Sequence, residues 1–516
     1  MIILKRWSFL FLFWGVINIS FSQEVNVLIG GGYTDIRKSG DLIDLYEGDS
    51  SFNLYHAPLK KKVREYTYDS VLNYKTDNLI DISKEEDFLN SIVFKGKRYL
   101  FFYERKKTSS SLYYKMISEN GFLEASKHFV DEYVLEEGQR KITSNPYSLQ
   151  LSEDKNRLLI YRVTDSSIKN NKDKTYSIFL FDSNMKKIKT VKRTYPVYYK
   201  GNSRPPLTLN IRKFFVNSND QIFFLYYNYD ALVKSSVLHW CDVLSGADKE
   251  ITLADDRFIT ETKVITGLNG KLTLFGIYTN KNDKFFYSRG LFLVGLDKLT
   301  PKYIPFSDED VKSFEFVGGA VMGRKLKLFE INNITYTKDG GFVLLFQNTF
   351  SRFSNGGASM SGGAAFPNGG GAFGHANMTG TSTLRYGSGP AGTTLYHFDF
   401  AVIKVSSTNE LEWFKHVSNR KHSLDCSGSV FYYNEKTDKT FVVYNTISKM
   451  LKPISLNVLT FNNDGAFSDK VLFAYKDIKS LLKFSYQKKI ADNTFIVPGF
   501  RIGRESYFKL IKISFN

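Results

Sequence analysis

A recurring unit of apolar strands and polar turns is the feature of this sequence that most limits its fold. Each copy has a short apolar run, a polar turn, a second strand of aliphatic and aromatic residues, a variable loop, and a third and often a fourth strand around a tight turn. The first copy begins with FLNSIVFKGKRYLFFYE at residues 88–104, and the seventh begins with LKFSYQKKIADNTFIVPGFR at residues 482–501. Periodic antiparallel units of about 50 residues or more are typical of a β-propeller.

The turns and strands of these units support this fold class. Turns such as FKGK, NSND and TKDGG contain Asn, Asp and Gly, which tolerate the positive φ of tight hairpins. Second and third strands such as IFFLYY and FVLLF are apolar on both faces, which indicates burial between neighbours on both sides. The aromatic fraction of 16% also favours strands. We therefore predict an all-β, seven-bladed β-propeller of four-stranded antiparallel blades.

The seventh copy has only three strand candidates, so the ring needs one strand from elsewhere. A propeller closes in order to remove the free edges of its first and last blades. We expect KVREYTYDSVLNY, residues 62–74, to form the outermost strand of the last blade. This assignment places the propeller at residues 62–516 and an N-terminal extension at residues 23–61. The alternative is an N-terminal segment that is disordered or packs separately.

The N-terminus has the pattern of a secretory signal peptide. Lys5 and Arg6 precede the short apolar run WSFLFLFWGVINISF, and Ser20 and Ser22 give a small-x-small pattern ahead of Gln23. We assign residues 1–22 to the signal peptide, with a membrane anchor as the alternative. No later stretch approaches 18 uncharged apolar residues, so we expect no transmembrane segment in the mature chain.

The net charge is strongly positive. It is +18 for the whole chain, and +16 once the two basic residues Lys5 and Arg6 leave with the signal peptide. For an exported protein this charge favours an anionic membrane surface, an acidic protein face or an acidic glycan as partner, and we expect no nucleic-acid partner. The alternative is a charge that serves solubility alone, which the scattered positions of the basic residues favour.

A run of Gly, Ala, Ser and Asn at residues 354–392 interrupts the fifth copy between its second and third strands. It contains no Asp or Glu and few bulky residues, so it cannot bury enough surface to fold alone. A flexible chain of this length reaches on the order of 30 to 40 Å. It is either a tether that orders on a partner, a plug for a pore in a larger assembly, or a tolerated insertion. The predicted partner-binding residues are Phe366, Phe373, Leu384, Arg385 and Tyr386.

The sequence predicts no catalytic, cofactor-binding or metal-binding residues. The spacing of four histidines, His375, His397, His416 and His422, matches no standard zinc pattern. The G-x-G-x-x-G match within GGGAFG has no helix after it, so we assign no nucleotide site there. Cys241 and Cys426 fall on opposite sides of the predicted ring, and we expect both to be unpaired and mostly buried.

Carboxylates could still pair at the axial channel, as they do in propeller glycosidases. Six of them lie near strand starts or in turns, and none stands out by its spacing. They are Asp69, Asp87, Glu153, Asp256, Glu330 and Asp425.

The leader KRWSFLFLFWGVINISFSQE, with Ser-Gln at its processing site, and the Asn-, Lys-, Phe- and Tyr-rich body resemble exported proteins of the Bacteroidota. The segments LQLSEDKNRLLIYRV and VLTFNNDGAF are similar to divergent propeller repeats of that phylum. The resemblance implies a propeller in the periplasm and carries over no functional residues. Because the last strand FKLIKISFN belongs to the propeller and not to a sorting domain, we expect a periplasmic resident. An accessory or plug subunit of the type 9 secretion translocon is one protein of this kind.

Three functions remain open from the sequence. The first is a non-enzymatic scaffold that docks on an outer-membrane protein complex. The second is a propeller that binds glycan or peptidoglycan through exposed aromatic side chains at one rim. The third is a hydrolase or lyase with a pair of channel carboxylates about 5 to 10 Å apart. A fold by itself does not choose between them.

Overall fold

The computed structural model shows an all-β chain built from eight antiparallel sheets. The residues described are 24–31, 41–47, 51–59, 62–83, 85–94, 97–118, 123–135, 146–152, 154–164, 173–196, 199–200, 212–217, 219–230, 235–253, 257–266, 272–280, 288–310, 329–355, 391–417, 429–447, 453–478, 480–501 and 507–516. None of these residues forms a helix long and apolar enough to cross a membrane.

The eight sheets follow one another along the chain, and we number them as blades. Blade 1 has β2 (Asp41–Glu47), β3 (Ser51–Leu59), β4 (Lys62–Asp69) and β5 (Tyr74–Asp81). Blade 2 has β6 (Glu86–Phe94), β7 (Lys97–Arg105), β8 (Ser109–Ile117) and β9 (His128–Val134). Blade 3 has β10 (Tyr147–Leu151), β11 (Arg157–Thr164), β12 (Asp173–Asp182) and β13 (Lys187–Pro196). Blade 4 has β15 (Arg212–Val216), β16 (Ile222–Asp230), β17 (Ser235–Asp242) and β18 (Asp248–Thr252), with β14 (Tyr199–Lys200) beside β16.

The second half of the chain repeats this order. Blade 5 has β19 (Arg257–Thr266), β20 (Leu272–Asn280), β21 (Gly290–Gly295) and β22 (Pro301–Pro305). Blade 6 has β23 (Phe329–Tyr336), β24 (Phe342–Asn355), β25 (Ala391–Val405) and β26 (Leu411–Val417). Blade 7 has β27 (Val430–Asn434), β28 (Lys439–Ile447), β29 (Pro453–Phe461) and β30 (Phe467–Ala474), followed by the short helix α1 (Tyr475–Ile478). Blade 8 has β31 (Leu481–Leu482), β32 (Lys488–Ala491), β33 (Thr494–Arg501) and β34 (Tyr507–Phe515), and β1 (Val25–Ile29) completes it.

The core lies between blades and not within any one of them. Eight clusters of buried apolar side chains each join two consecutive blades, and one of them joins blade 8 to blade 1. In β11, Leu158 and Ile160 pack toward blade 2, whereas Leu159 and Tyr161 pack toward blade 4. This alternation follows from the two-residue period of a strand and explains why the second and third strands are apolar on both faces.

The predicted fold class is confirmed, but the predicted count of seven blades is wrong because the ring has eight. The segment at residues 62–74 does not close the ring, because its strand β4 is the third strand of blade 1. The strands before it, DLIDLYE and SFNLYHAPL, lack a long apolar run, and this is why the sequence did not reveal a further blade. Residues 23–61, which we expected to form an extension, contain β1, β2 and β3.

The ring is closed by an N-terminal strand, as predicted, but this strand is β1. It pairs antiparallel with β34 from Val25 opposite Phe515 to Ile29 opposite Ile511. The N–H of Asn516 donates to the carbonyl of Glu24 at 3.0 Å, and the Glu24 carboxylate pairs with Lys439 of blade 7. Closure therefore depends on five residue pairs that join the two ends of the described chain.

Most described hairpin turns use one residue with positive φ. The glycines Gly246, Gly340 and Gly465 have φ values of 78°, 85° and 79°. Side chains also adopt this conformation in related turns, at Leu72, Lys155, Met185, Asp220, Leu299, Asn409 and Asp438. A carboxylate or amide oxygen often completes the turn, as when Asp182 accepts the N–H groups of Asn184 and Lys186, both at 2.9 Å. This is the turn chemistry that the Asn- and Asp-rich segments predicted.

The closing strand gives a direct test of the ring. Val25 is 3% exposed and Leu28, on the same strand, is 47% exposed. We expect Val25→Asp to lower the free energy of unfolding by about 3 kcal/mol or more, because it buries an unpaired charge. The matched variant Leu28→Asp should change it by less than about 0.5 kcal/mol. Urea unfolding measures both, and equal losses in the two variants would contradict this closure.

The turn conformation gives a second test. Lys155 is exposed and has a φ of 56°. L-residues adopt this conformation at a cost in free energy, whereas glycine adopts it without that cost. We expect Lys155→Gly to raise the free energy of unfolding by about 0.5–1 kcal/mol. Lys298→Gly, in a turn where the positive φ belongs to Leu299, should instead lower it by a similar amount, about 0.5–1 kcal/mol. Urea unfolding midpoints compare the two, and a loss in both variants would show that the turn carries no strain.

Candidate functional site

A two-stranded ribbon in blade 6 bears the Gly-rich insertion. The strands β24 and β25 have 14 and 15 residues, the longest in the described chain. Pairing of β23 with β24 ends at Asn348, and pairing of β26 with β25 ends at Phe400. Beyond these points, within the residues that the structure describes, β24 and β25 pair with each other alone, from Thr349 opposite His397 to Asn355 opposite Ala391. The ribbon therefore extends seven residue pairs, about 23 Å, past the described ends of β23 and β26.

The ribbon changes the bounds of the predicted insertion. Residues 354–355 and 391–392, which we assigned to the insertion, are the last paired residues of the ribbon. Residues 356–390 lie outside the described residues. The five predicted partner-binding side chains are in that part of the chain, so the structure tests none of them. They are Phe366, Phe373, Leu384, Arg385 and Tyr386.

The first strands of the blades lie innermost, because those of neighbouring blades contact one another, as β19 contacts β23 and β23 contacts β27. Five of the inner strands, including β32 of blade 8, have an irregular register that passes over one residue of the inner strand. A bulge of this kind leaves a residue outside the ladder and turns its neighbours. The bulged residues are Ile43, Leu89, Thr260, Asn332 and Ile490.

Two lysines link the inner strands of blades 4, 5 and 6. Lys213 Nζ on β15 donates to the carbonyl of Thr262 at 2.6 Å and lies 3.3 Å from Glu261 Oε1 on β19. Lys263 Nζ on β19 donates to the carbonyl of Asn332 on β23 at 2.8 Å. Because Asn332 is a bulged residue, its carbonyl is available to a side chain of the neighbouring blade. We call these two lysines and their acceptors the inner lysine chain.

The inner lysine chain contains one strongly perturbed amine. Burial, and then the positive charge of Lys213, lowers the pKa of Lys263 to about 8. The nearby carboxylate of Glu261 acts in the opposite direction and is the weaker influence. A fraction of Lys263 is therefore uncharged near neutral pH, whereas an ordinary lysine is fully protonated there. The described contacts give this amine a structural role, since it holds blade 5 to blade 6.

Of the six carboxylates named from the sequence, Asp69 and Asp87 have described side chains, and each contacts other groups. Asp69 completes a turn, accepting the N–H groups of Val71 at 3.1 Å and Asn73 at 2.8 Å. The bond from Asn73 is the main cause that lowers the pKa of Asp69. Asp87 lies 3.9 Å from Arg105 Nη2. Glu153, Asp256 and Asp425 lie outside the described residues, and only the backbone of Glu330 is described.

The other candidate chemistry is also limited in the described chain. No group of three or more His, Cys, Asp or Glu side chains there could hold a metal ion. Cys241 is free and buried, with its Sγ 3.7 Å from the hydroxyl of Tyr195. Burial raises the pKa of the Cys241 thiol, which disfavours the reactive thiolate. Cys426, His375 and His422 lie outside the described residues.

Sequence reasoning missed both the ribbon and the inner lysine chain. The length of the apolar and Ser/Thr-rich segments on either side of the insertion was a signal for the ribbon. No comparable signal existed for Lys263, because its acceptor is 69 positions away along the chain. Only the order of the blades brings the two together.

The inner lysine chain predicts a pair of opposite pKa changes. We expect Lys213→Gln to raise the pKa of Lys263 above about 8, because a like charge is removed. Glu261→Gln should lower it, because a favourable charge is removed. Titration of ¹³C-labelled lysine side chains by NMR measures both. A pKa change of the same sign in Lys213→Gln and Glu261→Gln would contradict this arrangement.

The lowered pKa also predicts how stability depends on pH. Since the pKa of Lys263 in the folded protein lies below the usual lysine value, the free energy of unfolding should rise with pH between about 8 and 10.4 in the wild type, and it should rise less in Lys263→Met.

No protein-family model and no curated protein matches the chain. Among solved structures, it is similar to the β-propeller domain of the Trilobed protease from Pyrococcus furiosus, at 13% identity over 85% of this chain and 97% of that one, with a TM-score of 0.35. A prolyl endopeptidase matches at 9% identity over 90% of this chain and 55% of its own, with a TM-score of 0.39. The acylaminoacyl peptidase of Pyrococcus horikoshii matches at 11% identity over 90% and 58%, with a TM-score of 0.35. The chain therefore spans about half the length of these two peptidases.

Proposed function

We propose that this protein is a non-enzymatic propeller of the bacterial envelope that binds an outer-membrane protein complex as a scaffold or accessory subunit. The observation that carries this proposal is the ribbon formed by β24 and β25. A strand pair that leaves its sheet loses the support of both neighbours, so a long paired extension is unusual on a propeller rim. It holds the Gly-rich insertion at a distance from the ring that a short loop could not reach.

The composition of the insertion supports binding to a partner protein, on which the insertion lies extended or becomes ordered. The segment has no Asp or Glu, and its few large side chains are Phe366, Phe373, Leu384 and Tyr386. Aromatic side chains in a flexible segment act as anchors when it orders on a partner. Arg385 adds a positive charge beside Tyr386. In this proposal the propeller is the rigid body, the ribbon is the spacer and the insertion is the contact.

The proposal also includes the cellular compartment of the protein. The leader at residues 1–22 is the support for export, and the similarity to exported Bacteroidota proteins supports a periplasmic location at the outer membrane. The accessory or plug subunit of a type 9 translocon is the specific role we propose within that class. Asp69, Asp87 and Cys241 lie in a turn, an ion pair and the core, and the proposal gives none of them a catalytic role.

Affinity purification of the tagged full chain from cell envelopes tests the proposal. We expect one outer-membrane protein complex to be recovered in near-equal amounts. Replacement of residues 356–390 by the turn Asn-Gly should reduce this recovery at least about tenfold, because the anchors are lost while the ribbon can still close as a hairpin. Equal thermal unfolding of the two proteins shows that the ring is intact.

A finer comparison separates the anchors from the length of the insertion. A variant with Phe366, Phe373, Leu384, Arg385 and Tyr386 all changed to Ser should behave like the deletion. The matched control Asn368→Ser/Asn377→Ser keeps these side chains and should retain the partner. Recovery of no stable partner by the wild type, together with thermal shifts on addition of sugars, would refute the scaffold role and favour glycan binding.

A further inference from the structure

The outermost strand of blade 3, β13, differs from the other outermost strands in length and charge. It has ten residues, KIKTVKRTYP, whereas the other seven blades end in strands of five to eight residues. Among the residues that the structure describes it pairs with β12 alone, so its other edge has no described strand partner. An antiparallel strand directs alternate N–H and C=O groups to each side, so about five of its residues offer these groups outward.

This strand and the turn before it are also strongly basic. The described residues 183–196 contain five Lys and Arg and no Asp or Glu. Five other outermost strands carry at least one carboxylate, and the two that carry none, β22 and β1, have at most one basic residue. The carboxylates are Asp77, Asp81, Asp131, Glu132, Asp248, Glu250, Glu412 and Asp469.

Two of the basic side chains of β13 hold the strand in place. Lys187 Nζ donates to the carbonyl of Val130 in blade 2 at 3.0 Å and lies over the rings of Phe179 and Phe181. Arg193 donates to the carbonyls of Val243 at 2.8 Å and Leu244 at 2.9 Å, both in blade 4. The strand is therefore fixed to the blade on each side, and its edge is rigid before any partner arrives.

The remaining basic side chains face solvent. Lys186, Lys189 and Lys192 are exposed, and so are Thr190 and Thr194 between and after them. Their ammonium groups have no carboxylate partner among the described residues. Lysine on a free edge also discourages pairing between identical edges, because like charges would meet. The same charges favour a strand of the opposite sign.

We propose that the free edge of β13 is a docking site for an extended acidic peptide segment of a partner protein, which adds to blade 3 as a fifth strand. Backbone hydrogen bonds to β13 supply affinity in this kind of recognition, and the side chains at alternate positions select the sequence. Lys189 and Lys192 meet the carboxylates of the segment, and Lys186 meets one at its end. This adds a second contact to the proposed scaffold function and does not depend on the insertion.

The test uses the full chain and a synthetic acidic peptide, Glu-Glu-Val-Thr repeated three times, which as a strand carries carboxylates on both faces, because Lys189 and Lys192 point to opposite faces of the sheet. Binding is followed by fluorescence anisotropy. We expect binding that weakens with added salt. Lys189→Glu/Lys192→Glu should weaken binding at least about tenfold, because two exposed attractions become repulsions. Lys249→Glu/Lys302→Glu makes the same charge change on the outermost strands of blades 4 and 5, and binding should stay within about twofold of wild type.

A second peptide separates strand addition from charge alone. It has the same sequence with alternate backbone nitrogens methylated, so that it keeps its carboxylates and cannot pair as a strand. We expect this peptide not to bind, and the unmodified peptide to protect alternate amides of β13 from hydrogen exchange. No binding of the unmodified peptide, equal binding of the two peptides, or binding that Lys189→Glu/Lys192→Glu leaves unchanged would each overturn the proposal. Binding only to vesicles with anionic lipid would overturn it in favour of a membrane surface.

The same variants distinguish this inference from the proposed function. If the wild-type chain recovers an outer-membrane complex and Lys189→Glu/Lys192→Glu recovers it equally, the docking site on β13 fails and the scaffold function stands. If neither protein recovers a partner but the acidic peptide still binds at β13, the scaffold function fails and the docking site stands.

Discussion

The structure depends on the pairing of β1 with β34. Each blade buries its side chains against two neighbours, so no blade has a core of its own. Without β1, the edge of β34 would be open and blade 8 would lack its outermost strand. The cluster between blades 8 and 1 closes the circle of eight clusters. It includes Leu45, Ile496 and Leu510. A short strand near the start of the chain therefore controls the stability of the whole ring.

Charged side chains reinforce the same boundaries between blades. Arg162 Nε of blade 3 lies 2.7 Å from Asp131 of blade 2, and both side chains are mostly buried. Lys404 of blade 6 is 4% exposed and lies 3.9 Å from Asp438 of blade 7. Such buried pairs cost desolvation, so their contribution to stability is small, but removal of one member leaves an uncompensated charge. Part of the large basic excess of this protein is therefore structural.

The sequence was sufficient for the fold class because strand period and turn chemistry are local properties. Blades 2 to 8 follow from apolar runs on both sides of Asn- and Asp-rich turns. Blade 1 was missed because its strands mix polar residues with short apolar groups, and Pro58 falls within one of them. The side chains with positive φ, such as Leu72 and Met185, have no local signal, because nearby packing imposes that conformation. The bond from Lys263 to Asn332 could not be predicted either, since it joins different repeats.

The contact between Glu24 and Asn516, the seam of the ring, also bears on the order in which the blades could follow one another along the chain. These two residues are hydrogen-bonded neighbours, so the ring is continuous there in space although the covalent chain is not. A rearranged gene that joined this seam and opened the chain within the Gly-rich insertion would preserve every blade and every boundary between blades. A ring built this way keeps the same neighbouring blades in contact when its point of opening is moved.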